Sequence, residues 1–133
     1  DGVVTITHTG ANLAPWNVSA STIEISDGLL LTDGNPLVFF HFQGLRKLSA
    51  TVYDSNLTSY GARMTPALRD GVFLPYIAAL RWAEAIVAPV LANAIGAPSL
   101  RRAGLSQWRL RASRSYRTFH ARLAGNLIDV PRA

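Results

Sequence analysis

The rhythm of hydrophobic and polar positions changes near the middle of this chain. Residues 2–8, Gly-Val-Val-Thr-Ile-Thr-His, alternate and are β-branched, which predicts a strand ending at His8. Residues 21–26 alternate again, Asp27-Gly28 predicts a tight hairpin turn, and Leu29-Leu30-Leu31 its return strand. Asp33-Gly34-Asn35-Pro36 is a second turn cluster. Residues 37–40, Leu-Val-Phe-Phe, form an unbroken apolar run that predicts a central strand buried on both faces, ending on His41. Residues 48–54 fit strand or loop, and residues 55–61 read as loop. From Thr65 the period becomes helical. Thr65 predicts an N-cap with Pro66 at the first helical position, and Leu68, Val72, Tyr76, Leu80, Ala83 and Val87 follow at helical spacing. Pro75 and Pro89 are expected to kink or split this helix, and Gly96-Ala97-Pro98 to stop it. A last helix is expected from a cap at Ser99 to about Leu123, weakened at Gly104.

This order predicts an α/β chain with short strands first and helices second: a β-rich part over 1–64 and a helical extension with a basic tail over 65–133. The length suits one domain. About four or five short strands alone make a poor closed core, so the chain reads as the C-terminal part of a larger sheet domain. There is no cysteine, which excludes disulfides and thiolate chemistry. No uninterrupted apolar run reaches the ~18 residues of a membrane span, and no signal peptide is visible.

Charge divides the chain a second time. The net charge is +5, and seven of the eight acids lie within residues 1–84. Residues 85–128 carry no acid, while Arg101, Arg102, Arg109, Arg111, Arg114, Arg117 and Arg122 are all there. Leu105, Trp108, Ala112, Tyr116, Phe119 and Leu123 would line one apolar face of the last helix among those arginines. Such a helix either packs on its own domain or lies on an anionic bilayer through residues 99–123. Charge alone supports nucleic acid, which makes it the weaker partner.

Candidate chemistry concentrates after the apolar run. His41, Gly44 and Lys47 have H-x-x-G-x-x-K spacing. A neutral imidazole can ligate Mn²⁺ or a similar cation, a glycine admits close backbone approach to a phosphate, and a lysine places a point charge on a diphosphate. The same spacing also fits a satisfied core histidine and an ordinary turn.

At these residues the chain resembles a family. His41-Phe42-Gln43-Gly44-Leu45-Arg46-Lys47 is similar to the H-F-x-G-x-x-K segment near the C-terminus of retaining, metal-dependent GT-A glycosyltransferases of the glycogenin and lipopolysaccharide-galactosyltransferase type. Trp16-Asn17 resembles the aromatic-Asn pair those enzymes carry shortly before. The wider stretch over roughly residues 10–80 resembles bacterial glycosyltransferase-like proteins of polysaccharide and cell-envelope loci. The resemblance implies the C-terminal portion of a GT-A (nucleotide-diphospho-sugar transferase) sheet domain. It implies a nucleotide-sugar donor, a glycan or lipid-linked acceptor, and a divalent cation, Mn²⁺, in the full-length protein. By the same resemblance His41 would be a metal ligand, Gly44 and Lys47 would contact the donor diphosphate, and Asn12, Trp16 and Asn17 would line the acceptor side. A cytoplasmic location at the inner face of the membrane would follow. Two departures stand out: Leu48-Ser49 follows the lysine where the family has Pro-Trp, and no Asp-x-Asp metal motif occurs in this chain. The chain alone is therefore expected to be incomplete as an enzyme.

Two other readings use the same residues: a non-enzymatic module that docks an anionic membrane or nucleic acid through its arginine-rich helix, and an interaction domain with a core histidine. His8, Asn12 and Asn17 fit either a cleft or the bracing of turns. Tyr53 and Asp54 fit either contact with a substrate hydroxyl or a surface loop. Asn17-Val18-Ser19 and Asn56-Leu57-Thr58 match the glycosylation triplet without support from a secretion signal.

Overall fold

The computed structural model describes residues 2–5, 7–95 and 105–131, with side chains over the same range apart from 91–112 and 114. It is mixed α/β, with two small antiparallel sheets and long helices. The first sheet is β1 (Ile23–Ser26), β2 (Leu29–Thr32) and β3 (Asn35–Pro36), a meander. Its two connections are two-residue turns in which Asp27, Gly28, Asp33 and Gly34 all have positive φ. That geometry matches the twist of a hairpin, and Asp-Gly adopts it readily. The second sheet joins β4 (Arg46–Lys47), β5 (Val52–Asp54) and β6 (Leu127–Asp129), with β5 in the middle.

Helix α1 (Pro66–Leu68) starts as its sequence predicts, with the Leu68 N–H donating to Thr65 Oγ1 at 3.2 Å. It passes through one π-helical turn (Arg69–Phe73) into α2 (Leu74–Ile95). Pro75 does not split the helix. Its missing N–H and its ring disturb the preceding turn, and the wider π turn occupies that place. Helix α2 also continues past Pro89. Gly71 lets the π turn lie on the first sheet, since a Cβ there would stand 2.7 Å from Leu30 Cδ1. The expected stop at Gly96-Ala97-Pro98, the cap at Ser99 and the weakening at Gly104 lie outside the described residues.

Helix α3 (Leu105–Leu123) ends in a left-handed cap. Gly125, φ +69°, donates its N–H to Arg122 O, and the Asn126 N–H reaches back to Ala121 O. Asn126 then stitches this end to the rest. Its Oδ1 accepts from the Thr58 N–H at 3.3 Å, its Nδ2 donates to Thr58 Oγ1 at 2.7 Å, and its carbonyl accepts from the Ser55 N–H. Asn126 is buried, so Asn126→Ala leaves the Thr58 N–H without its side-chain acceptor and should lower stability by about 1–3 kcal/mol. A thermal melt checks this; an unchanged midpoint would show that the stitch contributes nothing.

The core lies between the loop carrying Leu13 and Val18, the second sheet, and the start of the helix. Phe40, Tyr53, Leu57, Leu68, Phe73, Ile77 and Ile128 are its large members. It draws on residues from both sides of position 64, and β6 pairs with β5.

Two expectations fail against this fold. Residues 2–5 and 7–8 form no strand, and Val3 and Val4 are almost wholly exposed; β-branched alternation makes no strand without a partner edge. Residues 37–40 are not a strand buried on both faces. The Val38 and Phe39 N–H groups both donate to Gly10 O, which breaks the regular ladder, and a single parallel bridge remains between Leu13 and Phe40. Phe40 is buried, but Val38 and Phe39 are 68% and 52% exposed. The absence of an uninterrupted apolar run stands, but Pro66–Val90 is by length and composition apolar enough to cross a membrane. Isolated charges such as Arg81 and Glu84 interrupt the run without making the helix polar.

Candidate functional site

The region around His41 is built from backbone first. Residues 10–13 run beside residues 38–41: Gly10 O accepts from Val38 and Phe39, the Leu13 N–H donates to Phe39 O, and the His41 N–H donates to Leu13 O at 2.8 Å. Gly10 is required for this approach, because a Cβ would fall 2.0 Å from Pro36 O. Asn17 locks the loop from within, its Oδ1 accepting from the Ala14 N–H and its Nδ2 donating to Asn12 O. Asn12 is thereby held at φ +77° with its side chain on His41.

The contact between His41 Nε2 and Asn12 Oδ1 is 2.6 Å. A carbonyl oxygen only accepts, so Nε2 is the donor in this contact, and in a neutral ring of that tautomer the lone pair lies on Nδ1. The imidazole is half-buried between two aromatic rings. Trp16 lies 5.5 Å away centroid to centroid, and Phe39 packs edge-on at 4.5 Å. Trp16 is 50% exposed and reaches Tyr60 on its other side. Beneath this surface Phe40 and Phe42 pack against Phe73, and Phe42 stacks on Tyr76.

Gly44 and Lys47 have partners of their own. Gly44 has φ +85°, and a Cβ would meet Asn56 Nδ2 at 2.7 Å, so the turn after Phe42 needs glycine for both reasons. Lys47 lies in β4 and its ammonium pairs with Glu84 on α2. The hydrogen bond to Glu84 raises the Lys47 pKa above its ordinary value. Because the shift is upward, this pairing is fully present below the ordinary lysine pKa and fades as pH rises through the raised value. Both side chains are substantially exposed, which makes the pair weak and salt-sensitive. Among the described residues no hydrogen bond joins His41 to Lys47.

Of the residues singled out in the sequence, Asn12, Trp16 and His41 therefore come together, while Asn17 braces their loop. His8 likewise serves its own turn, its Nδ1 accepting from the Gly10 N–H. Tyr53 and Asp54 are buried in β5 and not in a surface loop. The sequence pattern does not place Phe39, Tyr60, Asn56 or Glu84 beside these residues. Phe39 was hidden by its apolar run, and Glu84 meets Lys47 across 37 positions with no local signal.

A divalent cation would find one suitable donor here, His41 Nδ1, with the opposite ring nitrogen oriented by an amide carbonyl as metal-binding imidazoles usually are. Among the described residues no group of three histidine, cysteine, aspartate or glutamate side chains could hold a metal ion. Any other ligands would have to come from the donor diphosphate and from further protein groups.

Comparison with known proteins gives two curated relatives, both described as uncharacterized and both from Bacillus subtilis (strain 168). YfnD is 34% identical over 86 residues, covering 64% of this chain and 27% of that protein. YfnF is 44% identical over 48 residues, covering 35% of this chain and 16% of that protein. The matches thus span about a quarter or less of these relatives' length. No family model matches, and no solved structure matches.

Proposed function

We propose that this chain is the C-terminal section of a sugar-nucleotide-dependent glycosyltransferase acting on a cell-surface or lipid-linked glycan at the cytoplasmic face of a membrane. The observation that carries the reading is the half-buried imidazole held by Asn12 between two half-exposed aromatic rings, at the head of the H-x-x-G-x-x-K segment. In this reading the two small sheets belong to the edge of a GT-A domain. His41 offers Nδ1 to a divalent cation, Mn²⁺, and Asn12 fixes the ring's tautomer and direction. When bound, the cation supplies positive charge to the leaving diphosphate. Trp16 presents an aromatic face to a sugar ring. Gly44 shapes the turn that carries the chain to Lys47, and the Lys47 ammonium exchanges Glu84 for diphosphate oxygens.

The first test is the reading frame upstream of this chain, where an Asp-x-Asp after a buried strand is expected. The second is calorimetry on the full-length protein with a panel of sugar nucleotides and Mn²⁺. Lys47→Ala is expected to weaken donor binding about tenfold with turnover at saturation little changed, since the ground state already contains this contact. Unchanged donor affinity would remove Lys47 from the site.

A further inference from the structure

Helix α2 leaves the core and stays apolar. Ile77 is fully enclosed, yet every residue from 82 to 90 is exposed, and Glu84 is the one charged residue among them. Trp82, Ile86 and Val90 follow at steps of four and are 70%, 51% and 65% exposed. A helix that is apolar all round ordinarily lies inside a larger core or a membrane. Helix α3 points the same way. Near its end the small Ala121 is buried, while Tyr116, Phe119 and Leu123 stand 69%, 63% and 74% exposed, with Arg117 and Arg122 exposed beside them. Tyr116, Phe119 and Leu123 thus face away from the domain.

Charge decides what covers these surfaces. Residues 85–128 hold seven arginines and no acid. A second copy of the chain, meeting it across a two-fold axis, would set this one-signed charge against itself. A bilayer rich in anionic phospholipid accepts both the apolar residues and the arginines.

We propose that α2 and α3 anchor this chain to an anionic phospholipid bilayer without crossing it. Residues 82–90 enter the boundary between headgroups and acyl chains, and Arg117 and Arg122 lie in the phosphate layer. Connectivity rules out a crossing. Ile77 before the excursion, and Ala121 and Ile128 after it, are buried in the same domain, with β6 paired to β5. A single span would leave these anchors on opposite sides of the membrane. A return span would require α3, and Arg109, Arg111, Arg114 and Arg117 are too costly at the bilayer centre. This anchor stands independently of the glycosyltransferase reading.

The test is co-sedimentation of the full chain with phosphatidylcholine vesicles, with and without phosphatidylglycerol, at low and high salt. Binding at low salt is expected to be at least about tenfold stronger on the anionic vesicles and to fall as salt rises. Trp82→Ser with Ile86→Ser, and separately Arg117→Ser with Arg122→Ser, should each weaken binding while leaving the thermal melt unchanged, because all four side chains are exposed. In a variant with Trp82 as its sole tryptophan, brominated acyl chains should quench the fluorescence. Equal binding to neutral vesicles, no binding, or retardation of RNA by a chain that leaves anionic vesicles unbound would overturn the proposal. So would a lipid-free dimer that dissociates on the Trp82→Ser and Ile86→Ser changes.

Discussion

His41→Ala in the full-length protein is expected to lower Mn²⁺-dependent donor turnover by about 100-fold or more, the scale associated with losing one stabiliser of developing charge. The argument runs from the loop. Asn17 holds Asn12, Asn12 holds the Nε2 proton, and Nδ1 is left as a donor beside Trp16. Alanine removes the donor and leaves the backbone pairing with Leu13 intact, so the fold should survive. Asn12→Ala acts on the same nitrogen from behind. It should weaken metal affinity by about 10–100-fold and be rescued by excess Mn²⁺, whereas His41→Ala should not be. The readout is turnover with a panel of sugar nucleotides against Mn²⁺ concentration. Wild-type turnover in His41→Ala would remove the enzyme reading.

Phe73→Ala should destabilise the chain by about 3–5 kcal/mol, the usual range for emptying a buried phenylalanine site. Phe73 has no exposed surface and touches the rings of both Phe40 and Phe42, at centroid distances of 5.6 and 5.5 Å. Those two residues flank His41 in the chain, so the cavity opens directly beneath the candidate site. The melting temperature should fall by roughly 10–20 °C, and Phe73→Leu should fall much less. A loss under about 1 kcal/mol for alanine would mean that the aromatic cluster collapses to fill the space.

Local chemistry was legible in the sequence, and partnership was not. Asp27-Gly28 and Asp33-Gly34 announce their turns because few other residue pairs accept two positive φ angles in succession. Thr65-Pro66 announces a helix start because cap and first turn are a matter of four residues. The apolar run at 37–40 misled because hydrophobicity records a preference for cover without naming the cover. Two of its four side chains are substantially exposed here. Strand β6 was invisible for a related reason: Leu127, Ile128 and Asp129 become a strand only through β5, more than seventy positions earlier. His41 was identifiable as a residue type at a telling spacing. Its tautomer depends on Asn12, 29 positions away, which only the folded loop brings to it.

The π turn at Arg69–Phe73 sets the azimuth of everything that follows it on the helix. Leu68 before the turn, Phe73 at its end and Ile77 beyond lie on one buried stripe, spaced five residues apart across the turn and four after it. One residue of an α-helix corresponds to about 100° of rotation about its axis. The wider turn therefore absorbs one extra residue without rotating the part of the helix that projects beyond the sheets. Forcing the turn into α-helical geometry with every residue kept would swing Glu84 off Lys47 and turn Trp82 to a different compass bearing, whereas deleting one residue at the same time would leave both bearings as they are. The bearing of the projecting helix thus depends on the width of this one turn as much as on the packing that holds its base.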